Sequence, residues 1–318
     1  MKINSNNSIY DRYVKKINFS VLKKIFFISS LLYFCSYFFN NFNQISFKVD
    51  LQENFNNIYF AFLFCIFSIF FNAFAWKNIV LWFGETNNNK NFVSNYVLTN
   101  ILKYVPGGIW HFVERFNFVK NISNYKIAFY SVIVEPYFML CAAFLLASFG
   151  VIFSPFYLFL VIPLVFLNRN LIYFVLNIID SVRGMASSSL KISSSKLKLE
   201  KRIELTSFFP FKAFLIEIGF ILSKFIGFLF CFNIVNSAND TNLILLFVIF
   251  CLSWSIGLIV PTAPSGIGVF ESCFLFLIGK DSPQNILFVS LIYFRLISTA
   301  ADLTLSLPYL LRKMVEKI

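Results

Sequence analysis

Residues Asn57–Phe83 read NIYFAFLFCIFSIFFNAFAWKNIVLWF, and Lys77 is the single charge in the run. Wound as an α-helix at about 1.5 Å per residue, that stretch is roughly 40 Å long, more than the ~30 Å of hydrocarbon in a bilayer. Comparable apolar runs cover residues 22–39, 127–152, 155–177, 211–236, 243–260, 266–279 and 286–311. Most meet the ~17–25 residues needed to cross; the run 266–279 is short for a crossing.

The bulk composition agrees. Of 318 residues, 58% are hydrophobic and 13% are charged, with a mean hydropathy of +0.74. Soluble domains carry about a quarter charged residues, so this chain has lost half its charge and gained apolar surface that one core could not bury. A soluble enzyme, a disordered protein and a disulfide scaffold are excluded. The expectation is an all-α, polytopic transmembrane helix bundle of about eight spans, forming one domain over residues 1–318.

The distribution of basic residues predicts its orientation. Of the 27 Lys and Arg, six lie in residues 1–24, five in 84–126, eight in 168–212 and three after residue 311, whereas the opposite loops hold only Lys48 and Lys280. That asymmetry follows the positive-inside rule and predicts a multi-pass protein of the cell (plasma or inner) membrane with both termini cytoplasmic. It also explains the net charge of +12 by orientation and contact with anionic lipid, with no nucleic-acid partner needed. The first run lacks a small-x-small cleavage site and reads as a retained helix, not a signal peptide. A Ser/Lys-rich stretch, 180–206, reads as a solvated cytoplasmic linker between halves at about 20–179 and 207–312.

Two segments interrupt the helical pattern in the same way. The first is Lys103-Tyr104-Val105-Pro106-Gly107-Gly108-Ile109-Trp110; the second is Val260-Pro261-Thr262-Ala263-Pro264-Ser265-Gly266-Ile267-Gly268-Val269-Phe270-Glu271. Proline deletes a backbone donor and glycine frees the dihedrals, so each site ends one helix and starts another, as a broken or re-entrant element. Irregular backbone survives at membrane depth only against protein or a water-filled cavity, and paired interruptions in two halves point to a transporter's binding site. A half-helix beginning at Gly108 or Gly266 is expected to aim free N–H groups at a phosphate or carboxylate.

Glu135, Lys224 and Arg295 lie near the middle of their runs. Facing lipid, they would cost roughly 8–10 kcal/mol together, so they must face one another or water. Glu217 lies seven residues before Lys224 and Asp302 seven after Arg295, which puts each pair on one helix face, two turns apart. Pro136 directly follows Glu135 and predicts a kink there. In the functional reading, Lys224 and Arg295 bind phosphate while Glu135 and Glu271 balance charge; in the structural one, these groups are ion pairs holding the bundle. His111 is the only His, and the six Cys lack Cys-x-x-Cys spacing, so neither a metal centre, a cofactor nor a Ser/His/Asp arrangement is expected.

KYVPGGIW with Arg115, SVIVE ending at Glu135, PTAPSGIGVFE, and YFRLIS containing Arg295 together resemble the lysylphosphatidylglycerol synthase transmembrane-region family, also described as flippase-like membrane proteins. The resemblance runs from about residue 20 to 312, and its Pro-rich turn with Gly-x-Gly and Glu is the most specific part. It implies an all-helical bundle that moves lipids between leaflets or accompanies glycan assembly at the cell surface. Where the family is expected to carry Glu-Arg, this chain has Glu135-Pro136. The sequence holds no soluble aminoacyltransferase domain, so lipid aminoacylation is not expected.

The functional expectation is a non-enzymatic lipid flippase or transporter whose partners are membrane lipids, an anionic phospholipid or a polyprenyl-phosphate-linked sugar. Its headgroup cavity would draw on Pro106, Gly107, Gly108, Arg115, Glu135, Lys224, Pro264, Gly266, Gly268, Glu271 and Arg295. The alternatives are a membrane-embedded transferase acting on a lipid-linked glycan, with Glu135, Glu271 or His111 as base, and a non-catalytic subunit working with glycan-assembly proteins.

Overall fold

The computed structural model describes residues 52–85, 91–105, 108–175, 178, 205–235, 242–260, 264–279 and 283–315, with Ile28, Leu32 and Ser36. Among them there is no β-strand. The helices are α1 (Phe55–Trp82), α2 (Phe92–Thr99), α3 (Trp110–Ile122), α4 (Tyr125–Ala147), α5 (Pro155–Val165, mostly 3-10), α6 (Arg169–Val175), α7 (Phe211–Val235), α8 (Leu243–Ile259), α9 (Val269–Ile278) and α10 (Gln284–Val315). Asn124 and Asn242 start α4 and α8 by accepting hydrogen bonds from backbone N–H groups of the first turn.

Among the described residues, four helices are long and apolar enough to cross a membrane: α1, α4 with its 3-10 extension to Ile152, α7, and α10 as far as Leu311. A fifth crossing exists if α5 and α6, bent at 73°, count as one. The expected eight spans are not confirmed. The runs 243–260 and 266–279 become α8 and α9, of 17 and 10 residues. At the helical rise these are about 25 and 15 Å, short of the hydrocarbon thickness. The run 22–39 lies outside the described residues apart from the three named above. Pro136 does not divide α4, which continues as one helix on both sides of it.

Small residues set the closest approach. On α7, a Cβ at Gly227 would stand 3.4 Å from the Ala61 carbonyl oxygen, and one at Gly219 would stand 3.3 Å from the Phe71 ring, both on α1. The two helices run antiparallel and in contact along most of their length, as helix pairs with small interfacial residues do. α10 packs on α7 and α1, and α4 packs on α8 and α7, so helices from before and after the linker interleave. A cluster of Phe225, Phe228, Phe250, Phe270, Phe274 and Phe294 fills the junction of α7, α8, α9 and α10 with edge and offset ring contacts. Outward faces carry Phe60, Phe67, Phe74, Leu215, Leu296, Leu303 and Leu307, all exposed, as lipid-facing sides require.

The end of the basic linker is docked rather than solvated. Leu205 is buried with its N–H on the Tyr173 hydroxyl, and Thr206 N–H donates to the Trp82 carbonyl at the end of α1. Residues 180–204 lie outside the described residues.

Candidate functional site

Both predicted interruptions are real breaks. In the first, α2 passes into a 3-10 turn (Asn100–Tyr104), Val105 is extended as a residue before proline must be, and Gly108 has φ 62° ahead of α3. Pro106 and Gly107 themselves lie outside the described residues. In the second, α8 ends at Ile259 and a 3-10 turn (Pro264–Gly266) leads to α9. Ser265 (φ 53°), Gly266 (φ 69°) and Gly268 (φ 82°) all take left-handed backbone there. The two 3-10 turns touch, so breaks far apart in sequence meet in space.

Arg295 of α10 braces the second break. Its Nε donates to Glu271 Oε1, and its two terminal nitrogens donate to the carbonyls of Ser265 (3.1 Å) and Gly266 (3.2 Å). Glu271 turns its other oxygen back onto the Gly268 N–H at 2.8 Å, capping α9. The free N–H groups expected where half-helices begin at Gly108 and Gly266 are therefore corrected: the Gly108 N–H donates to the Val105 carbonyl at 3.0 Å, and the second half-helix starts after Gly268, whose N–H is satisfied by the chain's own carboxylate. Gly268 and Glu271 stand behind the cavity as its frame and do not line it.

A second network anchors the first break. Asp302, fully buried on α10, accepts from Asn100 Nδ2 (2.7 Å), the Tyr104 hydroxyl (2.7 Å) and Lys103 Nζ (2.8 Å). Burial, and then the Asp302 charge, raises the Tyr104 pKa, which keeps that hydroxyl a donor. Arg115 of α3 donates to Glu135 Oε1 at 2.8 Å and to Asn100 Oδ1 at 3.3 Å, with its guanidinium 3.4 Å over the Tyr96 ring. Tyr96 donates to the same Glu135 oxygen at 2.7 Å. Five elements are tied together by two carboxylates.

The intrahelical pairings suggested by helix faces are not formed. Arg295 binds Glu271, Asp302 binds Lys103, and Lys224 Nζ donates to Ser298 Oγ at 2.8 Å. Seven residues separate groups by about 10 Å along an axis, whereas neighbouring helices bring partners within hydrogen-bond reach. Among the described residues no carboxylate is paired with Lys224, which is 8% exposed and has the Phe294 ring 5.8 Å away.

A cavity of about 270 Å³ lies where these parts meet. Gly108, Ile109, His111 and Arg115 line it from the first break, Ser265, Gly266 and Phe270 from the second, and Glu135, Pro136, Lys224, Arg295 and Ser298 from the long helices. Of the residues predicted from sequence, Gly108, Arg115, Glu135, Lys224, Gly266 and Arg295 share this cavity; Pro264 stands in the adjoining turn. His111 presents a buried Nδ1 with no protein partner. Burial, then the Arg115 and Lys103 charges, pushes its pKa well below the usual imidazole range, so it is neutral. Sequence reading missed Tyr96, Asn100, Lys103 and Ser298. The spacing Tyr96, Asn100, Lys103 places three polar groups on one face just before the break, a pattern that was visible. Among the described residues, no three His, Cys, Asp or Glu are grouped to hold a metal ion.

Compared with known proteins, the chain matches no family model and no curated protein.

Proposed function

We propose that this chain binds the anionic headgroup of a membrane lipid, a phospholipid or a polyprenyl-phosphate-linked sugar, and carries it between leaflets as a flippase-like transporter of the cell envelope. The observation that carries the reading is the meeting of two broken helices and the buried ammonium of Lys224 at one cavity. Arg115, Arg295 and Lys103 are each held in an ion pair, so among the described residues lining the cavity Lys224 is the cation left to meet a phosphate. Ile109, 53% exposed, marks the cavity's open side, and exposed Val105, Trp110 and Val113 continue an apolar surface on which an acyl or polyprenyl chain can lie. The charge asymmetry of the loops supports a cell-membrane location with both termini in the cytoplasm.

The test is translocation of fluorescent phosphatidylglycerol and phosphatidylcholine in proteoliposomes. Faster movement of the anionic lipid than in protein-free vesicles, without acceleration of the zwitterionic one, supports the proposal. Equal, protein-independent rates for both contradict it. The neutral His111 in the cavity favours a second reading, a transferase in which it acts as general base; product formation from a lipid-linked glycan and a donor substrate would select that instead.

A further inference from the structure

Glu217 of α7 is fully buried, and neither carboxyl oxygen has a protein donor. The antiparallel contacts of α7 with α1 (Gly219 on Phe71, Gly227 on Ala61) place it level with Asn72, and two more buried polar atoms without protein partners lie on that part of α1, Asn72 Oδ1 and Trp76 Nε1. The charged and titratable groups that act on it from the surrounding elements are Glu135 of α4 and Arg115 of α3, already paired with each other, and Tyr96 of α2; α1 opposite brings the neutral Asn72 and Trp76. Two turns along its own helix stands Lys224, about 10 Å away by helical rise.

These two residues are complementary. The pairs Lys103–Asp302, Arg115–Glu135 and Arg295–Glu271 are each neutral, which leaves Lys224 and Glu217 to set the net charge of the buried network. With Glu217 ionised the network is neutral and an added anion makes it negative. With Glu217 protonated the network carries one positive charge, which an anion at Lys224 cancels. Net charge at this depth is costly, so the two binding events assist each other.

We propose that Glu217 is a proton-binding site linked to anion binding at Lys224, so that a proton enters from water onto the Glu217 carboxylate as the anion enters the cavity and leaves as it leaves. This rests on the headgroup reading above and supplies its missing energy source, a proton gradient. Linkage is reciprocal: the proton raises anion affinity as much as the anion raises proton affinity. Unit charges about 10 Å apart at an effective dielectric of ~20 change an equilibrium roughly tenfold.

The experiment measures affinity of the purified protein in detergent for dioctanoylphosphatidylglycerol, whose phosphodiester does not titrate near neutrality, and for dimethyl phosphate, a monoanion of the same chemistry, between pH 5 and 9. Wild type is expected to bind the lipid roughly tenfold more weakly at the alkaline end. Glu217→Gln, an isosteric neutral change, is expected to hold the acidic-end affinity at every pH, while His111→Gln keeps the wild-type dependence. A protonated-carboxyl C=O stretch that appears on lipid binding in wild type and not in Glu217→Gln is the second readout. The same dependence for dimethyl phosphate assigns the site to any phosphodiester-like monoanion; dependence with the lipid alone assigns it to the headgroup, and both support the linkage. Identical pH dependence in wild type and Glu217→Gln, or its loss in His111→Gln, overturns the linkage while leaving headgroup binding intact. Absence of lipid binding at every pH overturns the headgroup reading and the linkage with it.

Discussion

Arg295 binds Glu271 across 24 residues of sequence while also holding the carbonyls of Ser265 and Gly266, so one guanidinium fixes both sides of the second helix break. Ser265 is the only non-glycine at positive φ among the described residues, a conformation that costs about 1 kcal/mol and persists only when its surroundings impose it.

Removing that brace should loosen the turn. Arg295→Ala loses three hydrogen bonds and leaves Glu271 unpaired, an expected cost of about 2–3 kcal/mol after allowing for the partial exposure of the arginine. Glu271→Gln keeps an oxygen for the Gly268 N–H but turns its amide NH2 toward the Arg295 Nε–H and leaves that guanidinium without a carboxylate, so it should cost about 2 kcal/mol. Thermal unfolding of both variants in one detergent gives the ranking.

Two glycines with positive φ should resist alanine for different reasons. At Gly266 (φ 69°) a Cβ would lie 3.1 Å from the Gly257 carbonyl oxygen, whereas at Gly279 (φ 80°) nothing lies within 4 Å. Gly279 pairs its φ of 80° with ψ 170°, a region that essentially only glycine occupies, so Gly279→Ala is expected to lose about 2–3 kcal/mol from backbone strain alone. Gly266→Ala should lose about 2 kcal/mol or more for a different reason, because α8 must also shift. An unchanged unfolding temperature for Gly266→Ala would mean that the turn does not rest on α8.

The two breaks and three buried charges were legible in the sequence, and their partners were hidden for physical reasons. The breaks at Gly108 and Gly266 could be read because proline and glycine act on their own backbone. Glu135, Lys224 and Arg295 could be read because charge in an apolar run needs an interior destination. Their partners could not, since Arg115–Glu135 and Lys103–Asp302 form between helices whose packing the sequence does not display. The span count is not confirmed at 243–260 and 266–279: the first run is helical almost end to end but only 17 residues long, and the second gives up its first residues to the turn before α9.

Asp302 is the test of the first break. Asp302→Asn leaves Lys103 without its carboxylate and one donor without a full acceptor, for an expected loss of about 3 kcal/mol. Lys103→Met added to it should restore about half, since the stranded charge is then gone. Additive losses in the double variant would show that the two residues do not interact.

His111 predicts an acid weakness. Its folded pKa lies below the unfolded 6.5, so above that pH both states are neutral and the residue contributes nothing. Below it the unfolded chain takes a proton that the folded chain refuses, and stability falls by up to about 1.4 kcal/mol per pH unit. The unfolding temperature of wild type should therefore drop below pH ~6.5 more steeply than that of His111→Gln; parallel curves would place the imidazole in water.

The most direct measurement compares phosphatidylglycerol translocation in proteoliposomes by wild type, Lys224→Met and Lys77→Met. Each variant loses one lysine from an apolar helix, but only Lys224 reaches the cavity where the broken helices meet. The expected result is at least a tenfold loss for Lys224→Met, from removal of a charge-assisted contact, with Lys77→Met within about twofold of wild type. Translocation by Lys224→Met at the wild-type rate would contradict the account.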